Sequence, residues 1–326
     1  MTTLATTPAH PLVEKYQTVL DEACEALATR SYYSRYPESP SPKVYGENAA
    51  ADGLAAYQQH LDAPYAALAS QPSDGTEVGS EVSPYGPVLG VRYPRLDLDA
   101  ALAAATAAIP AWRDAGARVR AAVCVEMIER INARSFEMAN AVMHTSGQPF
   151  VMSFQAGGPH AQDRALEAVI AGMVEMERIP ASAIWEKPGR DAPLRMRKDY
   201  QVVPRGVALV IGCNTFPTWN GYPGLFASLV TGNPVIIKPH PRAALPLAIT
   251  VEIARDVLHL EVVERDIART ELYVCDELFF TGTGAQVAPV RSVDKRIVGS
   301  GKPGPITLKM QSLYFDVVQG KVPNYR

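Results

Sequence analysis

A chain of 326 residues with 47% apolar content has material for two domains and a sizeable buried core. Lys and Arg number 31 against 34 Asp and Glu, a net charge of -3 with no basic stripe, which excludes a surface built to track a phosphate backbone, so no nucleic-acid partner is expected. The apolar runs are too short to span a membrane, and the start MTTLATTPAHP has neither a basic leader nor an apolar signal core, so the expectation is a cytoplasmic protein with no membrane association.

From Leu12 to Leu27 the apolar residues recur at helical spacing and Arg30 closes the pattern. Ser31 to Gly46, rich in Pro, Ser and Tyr, predicts an irregular connection. An Ala-rich helix is expected over Asn48 to Ala69, and a Gly/Ser/Asp loop over Ser70 to Ser80, so that the first eighty residues read as a helical extension. Leu89 to Tyr93 is extended, and Asp97 stands where an N-cap belongs before an Ala-rich helix that Pro110 ends. One long helix is expected from Ala117 to Thr145, with Gly147 as its stop, then another from Pro159 to about Arg178. Trp185 to Val203 alternates charged and apolar residues around Pro188-Gly189 and Pro193, as β ribbons do.

Val203 to His240 organises the chain. An apolar run, Val207 to Ile211, breaks at Gly212; a polar and aromatic turn leads into a small-residue helix pattern to Val230; a second apolar run, Val235 to Ile237, ends at Lys238-Pro239. This is a β-α-β unit, and Leu245 to Leu258 adds a helix. Ligands of open parallel sheets bind at the carboxyl ends of the strands. Asn214 stands at such an end, where its amide can donate to a developing oxyanion. On the residue alone, an Asx turn closing the loop is the simpler reading. The four cysteines, Cys24, Cys124, Cys213 and Cys275, lie far apart without a CxxC or a Cys/His cluster, which predicts reduced thiols and no metal site.

The stretch NTFPTWNGYPGLFASLVTGNPVIIKP resembles the signature region of the aldehyde dehydrogenase superfamily. Residues from about Ser83 to Leu258, including AWRDAGARVR, NARSFEMANAVMHTSGQ and FQAGGPHAQDRALEAV, look like its PaaN branch, named for phenylacetic acid degradation. The resemblance implies oxidation of a semialdehyde to its acid with NAD or NADP. It makes Asn214 the oxyanion-hole amide, lines the cofactor with the backbone of Ile211, Gly212 and Cys213, and gives Lys238 the adenosine ribose or its phosphate. His240 stands near where many relatives carry an acid for the ribose hydroxyls, which leaves NAD versus NADP open. Cys213 occupies a cofactor-wall position and reads as a small buried residue. The family's nucleophilic cysteine and general-base glutamate lie beyond the stretch of resemblance, so no cysteine here is assigned as nucleophile and an inactive chain is expected.

From Glu261 the pattern changes to alternating strands with a Gly-rich turn, a hairpin over SVDKRIVGSGKPGP, and a helix from Ile306 to Val318. GSGKPG satisfies G-x-G-x-x-G, yet its Pro and its antiparallel context spoil phosphate capture. The turn Gly282-Thr283-Gly284 can form an anion nest or merely a tight turn. RTELYVCDELFFTGTGAQVAPV with GSGKPGPITLKMQSLYFDVVQG resembles the carboxyl-terminal end of branched-chain, class IV aminotransferases. That resemblance gives the turn to the phosphate of pyridoxal phosphate or the substrate carboxylate. The family's Schiff-base lysine falls outside the matching part, so pyridoxal phosphate is expected only as a vestige. Lys295, Lys302, Lys309 and Lys321 read as solvated surface; Met127, Met138, Met143 and Met173 as core; His144 and His160 as surface or capping groups; and Arg195, Arg197 and Lys198 as a solvated face.

The expected architecture is α/β: residues 1–80 a helical N-terminal extension, 81–260 a partial aldehyde-dehydrogenase-like β-α-β-α cofactor region, and 261–326 a small α+β piece. The parent family acts on a small-molecule aldehyde. An open apolar edge at Val235 to Ile237 predicts a homo-oligomer or self-association. Two alternatives stand beside the dehydrogenase reading: an aminotransferase fragment and a non-catalytic mosaic.

Overall fold

The structure, a computed structural model, describes residues 10–258, 269, 271–273, 275–282, 286–319 and 321. The chain divides into two compact units, residues 1–260 and 261–326, each with its own architecture.

The first unit opens with α1 (Pro11–Thr29), capped by the His10 ring accepting from Leu12 N and closed at Arg30 in the left-handed region. Its buried stripe is Val13, Tyr16, Val19, Leu20 and Ala23. The connection that follows is irregular apart from one turn, α2 (Pro42–Tyr45). The helix expected to Ala69 is shorter, α3 (Ala49–Gln59). The expected loop after it contains β1 (Ser73–Val78), which pairs antiparallel with β2 (Tyr93–Leu96). Its burial pattern is almost wholly exposed, so the segment has no apolar alternation from which a strand could be read.

Helix α4 (Leu98–Asp114) has the expected cap, with Asp97 accepting from Ala100 N at 3.0 Å. It does not end at Pro110, which lies inside it. The carbonyl left without a donor belongs to Thr106, on the exposed face, where water can serve it. The long helix expected over 117–145 is two: α5 (Ala117–Ala133) and α6 (Ser135–Ser146). The break falls at Arg134, whose guanidinium reaches Glu137 at 2.6 Å and Glu252 at 2.9 Å. Gly147, at φ +80°, closes α6. Helix α7 (Phe150–Gly157) was not read from the sequence; eight residues are too few to display a period. Helix α8 (Pro159–Glu177) follows.

A ribbon of β3 (Ser182–Lys187) and β4 (Leu194–Asp199) is exposed along its whole length. Arg195 pairs with Glu186, Arg197 with Asp199, and Lys198 lies over the Trp185 ring at 5.4 Å. Then come β5 (Ala208–Ile211), α9 (Pro217–Val230), β6 (Val235–Lys238) and α10 (Leu245–Leu258). Strands β5 and β6 form a two-stranded parallel sheet in the register Ala208↔Val235 to Ile211↔Lys238.

The core lies among α1, α5, α6, α8, α9 and α10 and includes Met127, Ile128, Ile131, Met138, Ile170 and Met173. Residues of the first eighty join it: Tyr16, Leu20, Tyr36, Tyr57 and Tyr65 belong to the same apolar cluster. Arg120, only 3% exposed, donates to the carbonyls of Trp112 and Arg113 at the end of α4 and of Val230 at the end of α9. A cation there serves two helix carboxyl termini at once.

In the second unit β7 (Phe279–Gly282) pairs antiparallel with β8 (Gln286–Pro289), and β9 (Ser292–Val293) with β10 (Arg296–Ile297). Helix α11 (Pro305–Val318) ends it. The Glu277 carboxylate caps that helix, accepting from Ile306 N and Thr307 N at 3.1 and 2.9 Å. Lys295, Lys302, Lys309 and Lys321 are exposed. Among the described residues no helix is long and apolar enough to cross a membrane, and no group of three or more His, Cys, Asp or Glu could hold a metal ion.

Candidate functional site

The turn between β5 and α9 holds Gly212, Cys213 and Asn214. Gly212 N donates to Lys238 O at 2.9 Å, extending the sheet by one rung and fixing the two strand ends side by side. Gly212 is buried, and a Cβ there would come within 2.7 Å of Leu247 Cδ1 on α10. A larger residue there would have to displace the end of the Leu247 side chain.

Asn214 follows one residue beyond Cys213. Its Oδ1 is buried without a hydrogen-bond partner, and among the described residues its amide nitrogen has no partner either. A simple Asx turn would use that oxygen on a nearby backbone N–H, so the bland reading of Asn214 lacks its defining bond. The side chain is left with hydrogen-bonding capacity at the carboxyl end of a parallel strand. Cys213 is half-buried, with Sγ 3.5 Å from Phe216 O and 3.2 Å from Asn220 Nδ2. Its thiol is thus turned toward the first turn of α9.

Lys238 is exposed at the end of β6, and among the described residues no carboxylate lies within ion-pair distance of it. His240 serves the next turn, its Nδ1 accepting from Arg242 N at 3.2 Å. Ile211 is 66% exposed on the open face of the sheet. The structure thus gathers Ile211, Gly212, Cys213, Asn214 and Lys238 at one sheet edge, with His240 two residues further along. Of the tail residues, Gly282 ends β7, while Thr283 and Gly284 lie outside the described residues.

Three supports of this turn escaped the sequence reading. Gln148, just past α6, donates from Nε2 to Thr215 O. Thr218, fully buried in α9, donates to Gly157 O at 2.8 Å. Glu81, 2% exposed, accepts from Ala244 N and Leu245 N at 2.7 and 2.9 Å, and from the Tyr93 hydroxyl. A carboxylate at the amino end of α10 satisfies donors the helix cannot serve itself. Burial pushes the Glu81 carboxyl up and the bonds from Tyr93, Leu245 and Ala244 draw it down, with burial prevailing. These partners lie far apart in the chain, so no local spacing announces them.

The remaining titratable groups have structural work. Ser83 Oγ and His144 Nδ1 are 3.0 Å apart, with the His144 ring stacked on Tyr57; burial lowers the His144 pKa. His160 pairs with Glu38 at 2.9 Å. Cys124 is fully buried, its thiol pushed up to about 12 by burial, and burial also raises Cys24.

A model of the aldehyde dehydrogenase family matches residues 92–264, more than half of the chain. A crystal structure of an NAD-dependent aldehyde dehydrogenase from Burkholderia multivorans is similar over 77% of this chain, at 56% identity and a TM-score of 0.74. Part of the chain is similar to other proteins. A probable branched-chain-amino-acid aminotransferase of Aquifex aeolicus is 44% identical over 94 residues, which is 28% of this chain and 30% of that protein. The branched-chain-amino-acid aminotransferase of Pseudomonas aeruginosa is 54% identical over 61 residues, 19% of this chain and 20% of that protein. The chain spans 45% of the length of the Burkholderia dehydrogenase.

Proposed function

The chain belongs to the aldehyde dehydrogenase family, and from that premise we propose that the crevice from Ile211 to Lys238 takes a nicotinamide dinucleotide, with Asn214 presenting its amide to the oxygen of a small aldehyde. The substrate class is a semialdehyde of aromatic acid breakdown, phenylacetate degradation being the branch that the sequence resembles. The observation that carries the reading is Asn214: beyond the carboxyl end of a parallel strand, its side chain makes no hydrogen bond among the described residues, which leaves the amide NH2 free to donate to an aldehyde oxygen.

The residues fit the cofactor. Lys238 offers an ammonium with no carboxylate neighbour among the described residues, suited to a ribose hydroxyl or phosphate. His240, with Nδ1 engaged by Arg242 N, does not replace the missing acid as a ribose acceptor at that atom. The Burkholderia relative is described as NAD-dependent, which favours NAD over NADP. When bound, the dinucleotide supplies a hydride acceptor. Asn214 would hold the aldehyde oxygen and stabilise charge developing on it, and Gln148 and Thr218 would keep the turn from yielding.

None of the four cysteines is placed as an activated nucleophile. Cys124 and Cys24 have thiols raised by burial, the Cys213 thiol is engaged by Phe216 and Asn220, and Cys275 lies in the other unit. A thiolate, not a thiol, attacks a carbonyl. The chain by itself is therefore proposed to bind dinucleotide without oxidising aldehyde. The exposed β3–β4 ribbon, marginal as an isolated two-stranded element, supports self-association. Titrating NAD and NADP while following tryptophan fluorescence and melting temperature tests the reading. A rise in melting temperature is expected with NAD; no response at millimolar cofactor ends it.

A second reading, favoured by the aminotransferase similarities, gives residues 261–326 to the carboxyl-terminal part of a pyridoxal-phosphate enzyme, with Gly282, Thr283 and Gly284 as a phosphate or carboxylate turn. Incubation with pyridoxal phosphate should leave the free cofactor's spectrum unshifted if that part is vestigial. A non-catalytic mosaic is the outcome if neither cofactor binds.

A further inference from the structure

Arg120, in α5, is a buried cation with no carboxylate at ion-pair distance among the described residues. A guanidinium carries five N–H groups. Three of them go to carbonyl oxygens: Nε donates to Val230 O at 2.8 Å, and Nη1 to Trp112 O and Arg113 O at 3.0 and 2.7 Å. A fourth, on Nη2, meets only the thioether of Met176, with Sδ at 3.3 Å. The last, also on Nη2, has no acceptor among the described residues. A thioether is a weak acceptor, and burial draws the Arg120 pKa below its ordinary value. One side of this cation is therefore poorly served.

Met176 stands near the end of α8 and is 9% exposed. It shares with Arg120 the wall of a cavity of about 840 Å³, bounded by the end of α4, the start of α5, the end of α8 and the segment after β4. Met173, one turn earlier on α8, is 1% exposed and does not reach this cavity. The other charged groups of the wall are already paired: Arg113 with Asp114, Arg118 with Glu177, and Asp199 with Arg197. The wall therefore lacks free charges for an ionic ligand, and what it offers a small polar molecule is the sulfur of Met176 beside Nη2 of Arg120.

We propose that Met176 is an oxidation site for hydrogen peroxide, and that Arg120 holds the resulting sulfoxide. A lone pair of Sδ attacks one peroxide oxygen and the O–O bond breaks. The other oxygen leaves as hydroxide and takes the proton of the transferred one to become water, so the sulfur gives up two electrons and gains one oxygen. That oxygen is a far better acceptor than the thioether, and a hydrogen bond from a charged donor outweighs a neutral one. In an ordinary core such a polar oxygen disrupts packing. Here it completes the set of a buried guanidinium that already binds the carboxyl ends of α4 and α9. Oxidation thus fastens α8 to the cation that joins those two helices to α5.

The test uses the full chain with Met152→Leu and Met196→Leu, which removes the most exposed methionines among the described residues. Hydrogen peroxide is added, and peptide mass mapping follows each methionine with time. Sulfoxide is expected at Met176 roughly tenfold faster than at Met173, in protein whose circular dichroism is unchanged. The melting temperature should rise by about 2–4 °C as Met176 is converted. Met176→Leu in the same background keeps every other oxidisable group and should show no rise. Met176→Gln, whose amide oxygen stands in for that of the sulfoxide, should melt above Met176→Leu without any peroxide. The proposal is overturned if Met176 reacts no faster than Met173, if the oxidised protein melts lower, or if Met176→Leu gains the same rise. It is also overturned if Met176→Gln melts no higher than Met176→Leu. No dinucleotide enters the experiment, so this idea and the cofactor reading can fall separately.

Discussion

The helical layer and the parallel sheet of the first unit are built to different standards. In the layer of α1, α5 and α8, side chains such as Leu20, Ile128 and Ile131 are wholly enclosed, and even a guanidinium, that of Arg120, finds three carbonyl acceptors. The sheet is covered on one face only. Val210, Val235 and Ile237 pack against the core, while Leu209 and Ile211 on the other face are 62% and 66% exposed. Parallel strands are ordinarily buried on both faces. The lesson is a division of labour: cohesion resides in the helices, and the sheet keeps one bare face.

That contrast can be broken by unequal responses to substitution. Ile128→Ala should cost about 3 kcal/mol of unfolding free energy by urea denaturation, since a fully enclosed branched side chain leaves a cavity. A loss below about 1 kcal/mol would show that the layer is not the seat of stability.

A smaller, pH-dependent effect belongs to Glu126, which joins α5 to α1. Burial pushes its carboxyl up, but hydrogen bonds from Lys15, Tyr16 and Arg130, at 2.6, 2.5 and 2.7 Å, outweigh burial and hold it at about 2 against an ordinary 4.5. A depressed carboxyl pKa stabilises the fold above the unfolded value and loses that contribution as pH falls from 4.5 toward 2. Allowing for solvent screening, about 1–2 kcal/mol should disappear across that window. Glu126→Gln should flatten this part of the stability curve, and an unchanged slope would refute the assignment. The smallest effect is expected at the sheet: Leu209→Thr should change stability by less than about 0.5 kcal/mol. Sedimentation should show weaker self-association. A large loss would mean the face is covered.

What the sequence revealed follows from how local each cause is. The helix over Leu245 to Leu258 and the strands ending at Ile211 and near Lys238 carry their own apolar patterns, and they form as expected. The break at Arg134 left no trace, because it coincides with ion pairs to Glu137 and to Glu252, the latter more than a hundred positions away. Pro110 misled because a missing donor matters only where the freed carbonyl is hidden from water, and Thr106 faces solvent. At the candidate site, the turn residues Gly212 to Asn214 and Lys238 were legible from the strand-turn-helix pattern. Gln148, Thr218 and Glu81 were not, since each acts through a backbone group on a distant element.

The Glu81 carboxylate also sets an order of events. Its acceptors are satisfied by amides 163 and 164 positions further along, and the neighbouring Tyr65 and Ser70 meet Glu252 and Arg255 across 187 and 185. At ribosomal rates of about 5–20 residues per second, roughly 8–33 s separate the synthesis of Glu81 from that of those two amides. Contacts spanning such lengths form slowly even in a released chain. During translation, then, the first ninety residues emerge with a carboxylate that must stay in water, and the helix that will receive it is among the last parts of its unit to be made.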